Sequence, residues 1–241
     1  KVVKPFEREP LSIPVTQKLG EGNREIVLTD VVAGYTGGFT VGPVSLFIPF
    51  GHRLCLLGAN GTGKSTLLKV ITRHVQPISG RVQVGSGVRL GDMLQEHESL
   101  PRQETALDFL EQRGGMDATK AYGLLAQFGI PTERAREPIA LLSPGGRARL
   151  LIALFAVLKK NVLVLDEPTN HLDLEVMEAL EEALETFQGT IIVVSHDRRF
   201  IERIRFDDLL QVVDGHVEPM KDLSAYLKQA EERARRLLRV L

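Results

Sequence analysis

Two short stretches of this 241-residue sequence combine residue types that can do chemistry. The first is GANGTGKS at residues 58–65, a glycine-rich run that ends in lysine and serine. The second is LDEPTNHLD at residues 165–173, in which two adjacent acids end an apolar run. The first run fits the pattern G-x-x-x-x-G-K-[ST] and lies between a strand-like run and a helical run, which is the setting that the pattern requires.

The glycine-rich run has the properties of a phosphate-binding loop. Its glycines let the backbone N–H groups face inward, and the N-terminus of the following helix adds a partial positive charge. Lys64 is expected to reach the β- and γ-phosphates of a nucleotide, and Ser65 to hold Mg²⁺. The alternative is a glycine turn with a structural role only, although average residue usage makes a chance match of the whole pattern rare. The residues expected to contact nucleotide in this region are Gly58, Ala59, Asn60, Gly61, Thr62, Gly63, Lys64, Ser65 and Thr66.

The paired acids are expected to lie opposite this loop. The run VLVLD carries Asp166 to the carboxyl end of a predicted strand, which is the edge of an open α/β sheet where ligands bind. A carboxylate there can hold Mg²⁺ through water, together with Ser65 and phosphate oxygens. Glu167 is placed to act as the general base for an attacking water, a role worth ~10²–10⁴ in rate. An exposed acidic turn is the alternative for this pair.

Three further residues fit the same site, each with a simpler alternative. His196 follows the next predicted strand and could position the attacking water; taken alone, it is a satisfied turn residue. Gln95 could contact Mg²⁺ or that water, or could be an ordinary surface glutamine. Tyr35 precedes a glycine turn and could stack on adenine, an interaction worth roughly 1–3 kcal/mol, or could be a buried aromatic.

The surrounding runs predict the elements that would position these residues. Residues 162–166 and 190–195 are apolar on both faces and flank an amphipathic helix over 174–187, which indicates parallel strands covered by helices. Further strands are predicted over 26–32, 44–50, 53–58 and 81–84, the last after a turn at 77–80, and a helix over 65–74. Residues 105–158 are mostly helical, with breaks at residues 114–115, Pro131 and Pro138. Asp214-Gly215 predicts a type I′ hairpin turn.

Composition indicates an ordinary globular α/β protein. The chain is 43% hydrophobic and carries 30 basic against 31 acidic residues, so its net charge of -1 gives no general attraction to nucleic acid. The single cysteine, Cys55, fits a reducing compartment, and no apolar run is long enough to span a membrane. We therefore expect a cytoplasmic protein without direct membrane insertion. The pattern divides into an extended linker (1–24), an α/β domain (25–220) with an inserted helical region (about 98–158), and a charged C-terminal helix (221–241).

Together these residues resemble the nucleotide-binding domain of the ABC ATPase superfamily over residues 25–220. The motifs have the family's order, with LSPGGR at 142–147 in the place of its signature and Asp173 before the helix that follows the acids. The resemblance implies a P-loop NTPase (RecA-like) parallel core, an N-terminal antiparallel β subdomain and an inserted α-helical subdomain. It also implies Mg-dependent ATP hydrolysis between two such domains, with nucleotide contacts from Ser143, Gly145, Gly146 and Asp173.

The signature departs from the common pattern LSGGQ at two positions. Ser143 and Pro144 still suit the N-cap and first position of a helix over 145–158, so a helix N-terminus is offered to an anion. Pro144 donates no N–H, and Gly146 stands where Gln or Glu would complete a capping box. A weaker contact between subunits, or one slow composite site, is the expected consequence.

Within the superfamily, LDEPTNHLD and the tail DLSAYLKQAEERARR are similar to the ABC-F group, whose members are soluble and act on ribosomes. The resemblance implies a second ATPase domain, in the same chain or in a homodimer, and the ribosome or its RNA as partners. A role in translation or in antibiotic resistance follows from it. Because residues 1–24 resemble a linker exit and the terminal helix resembles a chain end, we expect the second of two domains; the alternative is the first, with residues 230–241 as the root of the linker. The ATP-binding subunit of a transporter and a nucleotide-gated module with negligible hydrolysis are the alternatives.

Overall fold

The computed structural model describes residues 22–35, 37–93, 100–170 and 174–220, together with residues 223, 224, 226 and 228. Its nine strands in these residues are β1 (Ile26–Gly34), β2 (Thr40–Ile48), β3 (Arg53–Leu57), β4 (Ser79–Val84), β5 (Leu90–Met93), β6 (Val162–Asp166), β7 (Thr190–Val194), β8 (Asp208–Val213) and β9 (His216–Pro219). The α-helices whose bounds lie within the described residues are α1 (Lys64–Ile71), α2 (Ala106–Gly114), α3 (Ala118–Gln127), α4 (Thr132–Ala135), α5 (Pro144–Val157), α6 (Leu174–Thr186) and α7 (Arg198–Ile204).

Six strands form one sheet in the order β5-β6-β7-β3-β8-β9. All pairs are parallel except β8 with β9. The central strands β6 and β7 are buried along their apolar residues because helices cover both faces of a parallel sheet. The parallel α/β core expected from residues 162–166 and 190–195 is thereby confirmed.

The other three strands form a separate antiparallel sheet, in the order β2-β1-β4. An apolar cluster joins this sheet to α1 and to the central strands, through residues such as Ile26, Leu68 and Val164. The expected fold class, a parallel core with an antiparallel β layer, is therefore confirmed. Among the described residues, none of the helices combines the length and the apolar character that crossing a membrane requires.

Helices α2 to α5 lie between β5 and β6 in the chain. The side chain of Thr105 accepts the N–H of Asp108 and caps α2, and Asp117 caps α3 in the same way at Lys120. Gly115, with φ 63, ends α2 at the predicted break. Their apolar faces pack in a second cluster with Phe109, Leu150 and Phe200. The limits of the inserted subdomain, about 98–158, stay a prediction.

Arg53 connects the start of β3 to the ends of two helices through hydrogen bonds. Its guanidinium donates hydrogen bonds to the backbone oxygens of Leu184, Glu185 and Phe187 at the end of α6, and to that of Ile204 at the end of α7. The last carbonyls of a helix have no partner further along that helix, so a cation near them adds hydrogen bonds and opposes the helix dipole. The arrangement fixes both helices against the strand that leads to the glycine-rich loop.

One strand and the starts of two others differ from the sequence prediction. Strand β5 was not predicted because Gly91 and Asp92 break its apolar pattern. Strand β2 begins at Thr40 rather than residue 44, and it tolerates Gly42 and Pro43 because it lies at the edge of its sheet. Strand β4 begins at Ser79, within the turn predicted at 77–80.

Candidate nucleotide-binding site

The order of the strands brings the two chemical motifs to the same edge of the sheet. Strand β7 lies between β3, which leads into residues 58–65, and β6, which ends in the paired acids. In the register of these strands, Val194 pairs with Leu56 on one side and with Asp166 on the other. The phosphate loop (residues 58–65), the acids and His196 therefore all follow strands that end at one level.

The phosphate loop needs glycine at positions where its backbone is unusual. Gly63 has φ 90, and a Cβ at this position would lie 2.3 Å from Cγ2 of Val41. Gly58 has φ 147, and a Cβ there would lie 2.7 Å from the backbone oxygen of Val212. Any other residue would be strained and would displace β2 or β8. The turn in the loop thus depends on these two glycines.

Helix α1 begins at Lys64 and presents its N-terminus within the loop. Its N-cap residue is Gly63, which has no side chain that could cap the helix, and the first turn contains no acidic residue. The first N–H groups of a helix have no acceptor within that helix, and the dipole favours negative charge near them. Asn60, Gly61, Thr62, Ser65 and Thr66 lie in this loop or in the first turn of α1. The arrangement is suited to a phosphate group.

Lys64 is buried at the centre of the loop. Its Nζ donates to the backbone oxygens of Gly58 and Ala59, each at 2.8 Å. Burial lowers the pKa of Lys64, and the nearby carboxylates of Glu167 and Asp166 act in the opposite direction. The ammonium group is therefore within the electrostatic influence of both acids.

Glu167 and His196 face each other across the ends of β6 and β7. Nε2 of His196 lies 3.1 Å from Oε1 of Glu167, but the angles do not fit a hydrogen bond, and this buried nitrogen has no hydrogen-bond partner among the described residues. Burial raises the pKa of Glu167 from 4.5 to about 7, against the lowering effect of Lys64. Burial, followed by the charge of Lys64, lowers the pKa of His196, which keeps the imidazole neutral at pH 7.

The oxygen ligands that Ser65 and Asp166 could supply would fill only part of the coordination shell of Mg²⁺. Hydroxyl and carboxylate oxygens are ligands that Mg²⁺ prefers. In the part of the chain that the structure describes, no three acidic, histidine or cysteine side chains form a group that could hold a metal ion. A site of this kind suits Mg²⁺ shared with phosphate oxygens and water, because Mg²⁺ keeps several waters.

Two exposed aromatic side chains lie before the phosphate loop in the chain. Tyr35 is 57% exposed, so its alternative as a buried aromatic is wrong. Phe39 is 55% exposed, and Cε1 of its ring lies 3.5 Å from the position a Cβ of Gly63 would take. Sequence reasoning missed Phe39, although an aromatic residue just before an edge strand was a signal that could have found it.

The proposed signature begins helix α5 as expected. Oγ of Ser143 accepts the N–H of Gly146 at 3.1 Å, which is the N-cap contact predicted for this serine. Helix α5 spans Pro144–Val157, so Gly145 and Gly146 lie in its first turn. Leu141 before it is exposed. Gln95, Asp173 and the neighbouring His171 lie outside the described residues.

The sequence profile of the family described as "ABC transporter" matches residues 41–170, more than half of the chain. The chain belongs to the ABC family. Domains of this family are ATPases, and the ATPase nature expected from the residues is thereby confirmed.

Named relatives place this ABC domain near the ABC-F group. "Probable ATP-binding protein YheS" of Escherichia coli K12 is 37% identical over 222 residues, which is 91% of this chain and 33% of that protein. "ABC transporter F family member 5" of Arabidopsis thaliana is 34% identical over 245 residues, covering 97% of this chain and 35% of that protein. The chain therefore spans about a third of the length of these curated relatives.

Solved ABC cassettes share the fold of this domain. A dimeric post-hydrolysis state of the ATP-binding cassette MJ0796 bound to ADP and Pi has a TM-score of 0.67 and 23% identity, and covers 82% of this chain and 100% of that one. A dimeric structure of MJ0796, described as a bacterial ABC transporter cassette, has a TM-score of 0.69 and 22% identity with the same coverage. At this identity the likeness concerns the fold alone.

Proposed function

We propose that this ABC domain hydrolyses ATP at the edge formed by the phosphate loop, the paired acids and His196. The observation that carries the proposal is the convergence of buried Lys64 with the partly buried Glu167 and His196, from three separate segments, on one location. In this arrangement Lys64 exchanges its contacts with the loop carbonyls for phosphate oxygens. The loop amides and the N-terminus of α1 bind the remaining phosphate charge.

Glu167 takes the proton of the attacking water. A general base is most effective when its pKa is near the working pH, and burial raises the pKa of Glu167 to about 7. The neutral imidazole of His196, whose Nε2 lies next to this carboxylate, holds the water or the γ-phosphate in position. Ser65, Asp166 and Gln95 would hold Mg²⁺, which would neutralise charge on the phosphates when bound.

The site is completed by a second ABC domain. The dimeric cassettes that share this fold are consistent with such a pairing. We assign Ser143, Gly145 and Gly146 at the N-terminus of α5 to the γ-phosphate bound by the partner domain, because the dipole of a helix favours an anion near its N-terminus. Tyr35 stacks on adenine, and Asp173 contacts the nucleotide between the two domains.

Replacing Glu167 with Gln tests the assignment of the base. The amide keeps the shape of the side chain but cannot accept the proton, so turnover should fall by ~10²-fold or more while ATP binding persists. Single-turnover hydrolysis and equilibrium binding of ATP measure the two quantities. Lys64→Ala, which should weaken binding itself, is the comparison. Wild-type turnover in the Glu167→Gln protein would disprove the role of Glu167.

We further propose that the whole protein acts on the ribosome, as a translation factor or in protection against ribosome-targeting antibiotics. The support is the ABC-F name among its relatives and the sequence LDEPTNHLD. A transporter subunit is the second candidate, favoured by the transporter cassettes that share its fold.

Co-sedimentation distinguishes these two candidates. Full-length Glu167→Gln protein should pellet with ribosomes when ATP is present and remain in solution with ADP, because ATP that is not hydrolysed holds the two domains together. Lys64→Ala protein should stay in solution in both cases. Co-purification with a membrane protein, without ATP-dependent binding to ribosomes, would favour the transporter instead.

A further inference from the structure

A tyrosine near the C-terminus contacts the first residue of the phosphate loop. The hydroxyl of Tyr226 accepts a hydrogen bond from the backbone N–H of Gly58 at 2.8 Å, across 168 residues of sequence. Tyr226 lies in the C-terminal segment, where residues 223, 224, 226 and 228 have helical backbone. This hydrogen bond, the tail contact, joins a segment that lies beyond the sheet to the nucleotide site.

The tail contact acts on a constrained part of the loop. The N–H of Gly58 binds Tyr226, and its carbonyl oxygen accepts a hydrogen bond from Lys64, the residue assigned to the phosphates. Gly58 also packs closely against β8, because a Cβ at this position would lie 2.7 Å from the backbone oxygen of Val212. The position of this peptide therefore depends jointly on the tail, on Lys64 and on β8.

Packing holds the ring of Tyr226 independently of its hydroxyl. Tyr226 and Leu223 are partly buried against the apolar cluster that contains Cys55 and Leu57 of β3. A phenylalanine at this position would keep these apolar contacts and lose only the oxygen. The contribution of the tail contact can thus be separated from that of packing.

We propose that Tyr226 is a positioning residue for the phosphate loop and that it couples the C-terminal segment to nucleotide binding. This inference rests on the proposed role of residues 58–65 as the ATP phosphate site. A nucleotide that fixes the loop also fixes the N–H donor that Gly58 presents to the Tyr226 hydroxyl, and this hydrogen bond in turn prepares the loop for phosphate. Such coupling is reciprocal, so each event favours the other by the same factor.

Tyr226→Phe in the full chain tests the proposal. One hydrogen bond to the loop corresponds to an increase of about three- to tenfold in the dissociation constant of a non-hydrolysable ATP analogue, measured by calorimetry. Tyr122→Phe is the matched control, because the Tyr122 hydroxyl accepts from Nε of Arg136 on the surface of the helical region. This control should bind the analogue as the wild type does.

Hydrogen exchange of the backbone amides around residue 226 provides the second measurement. In the wild type, the ATP analogue should slow exchange in this segment, and the effect should disappear in Tyr226→Phe. A purely structural tyrosine would lower the thermal midpoint without nucleotide and leave the dissociation constant within twofold of the wild type; that result would overturn the proposal. A wild-type chain that fails to bind the analogue would instead overturn the proposed function, and this inference with it.

Discussion

At the scale of single residues, Glu167 combines several unfavourable conditions. It has φ 47, a left-handed backbone conformation that is uncommon for residues other than glycine, and its carboxylate is largely removed from water beside Asp166. Strained backbone and a raised pKa are typical of functional sites. The backbone N–H of Glu167 donates to the oxygen of Val194 at 2.8 Å, which helps to hold this conformation. We therefore expect the backbone strain and the burial of this carboxylate to lower the free energy of unfolding.

The stability should therefore depend on pH through Glu167. Because its pKa is raised to about 7 in the folded state from 4.5, the folded chain binds this proton more tightly than the unfolded chain does. The contribution is fully present below about pH 4.5 and is lost as the pH rises through about 7. Glu167→Gln should match the wild type at pH 4.5 and exceed its free energy of unfolding at pH 8 by on the order of 2 kcal/mol.

Urea unfolding of both proteins at the two pH values measures this difference. The comparison at pH 4.5 serves as the control, because the wild-type carboxyl is then mostly protonated in the folded state and resembles the amide. An equal free energy of unfolding at pH 8 would show that burial of Glu167 does not disfavour its charged form.

At the scale of secondary-structure elements, a buried acid links α6 to α7, the helix that follows His196. Glu181 of α6 is 0% exposed, and both of its carboxylate oxygens lack a hydrogen bond among the described residues. Its Oε2 lies 3.3 Å from Nη1 of Arg203 and 3.7 Å from Nη2 of Arg199, both on α7. The two arginines reach solvent, whereas the glutamate does not. The two ends of this ion pair should therefore differ in their sensitivity to substitution.

Removing the cation should cost more than removing the anion. Arg203→Ala leaves a buried carboxylate with weaker compensation and should lower the free energy of unfolding by about 3 kcal/mol. Glu181→Met replaces the acid with an apolar side chain of similar length and should cost under about 1 kcal/mol, since the arginines remain hydrated. Arg198→Ala, which affects the exposed pair with Glu202, should change stability by less than about 0.5 kcal/mol. Equal losses for Arg203→Ala and Glu181→Met would contradict this account.

Two glycines of the helical region make a matched pair. A Cβ would meet no atom within 4 Å at either Gly123, within α3, or Gly115, which ends α2 with φ 63. Gly123→Ala should stabilise the fold by about 0.5–1 kcal/mol because alanine favours the helix. Gly115→Ala should destabilise it by about 1 kcal/mol, because an L-residue resists the left-handed conformation. Thermal unfolding measures the change in stability for both substitutions. Changes of the same sign would show that the space around the added Cβ, and not the backbone conformation, determines the effect.

Sequence alone could predict those elements whose signals are local. The strands β6 and β7 are continuous apolar runs, and the motif residues directly follow them, so Asp166, Glu167 and His196 were placed correctly at one sheet edge. Strand β5 escaped prediction because only its pairing with β6 makes LGDM extended. Tyr226 escaped because its proposed role comes from a contact with Gly58, 168 residues away in the sequence, which no local pattern records.

At the scale of the whole molecule, the proposed pairing makes this chain one half of each composite site. It spans about a third of its curated relatives, and its solved neighbours include dimers. The N-terminus of α5 lies beside exposed Leu141 and is available to a second domain. The proposed pairing predicts an association that requires ATP and that a negative charge introduced at position 143 would prevent.

Two substitutions at Ser143 separate helix capping from recognition of an anion. Both Asn and Asp are good N-cap residues and should preserve α5. Ser143→Asp places a negative charge against the γ-phosphate of the partner and should abolish the ATP-dependent dimer of the Glu167→Gln protein, whereas Ser143→Asn should retain it. Analytical ultracentrifugation with and without ATP measures the association. Dimers of equal stability in both variants would contradict the assignment of the signature.

The strand order of the large sheet has a consequence for how this protein is made. Residues 58–65, 166–167 and 196 become neighbours only after β3, β6 and β7 have paired, and these strands are more than 100 residues apart at the extremes. Contacts between such distant segments form late and slowly during folding. A nascent chain that has not yet emerged beyond residue 196 therefore lacks part of the proposed catalytic centre, so acquisition of ATP binding should report that the core has finished folding.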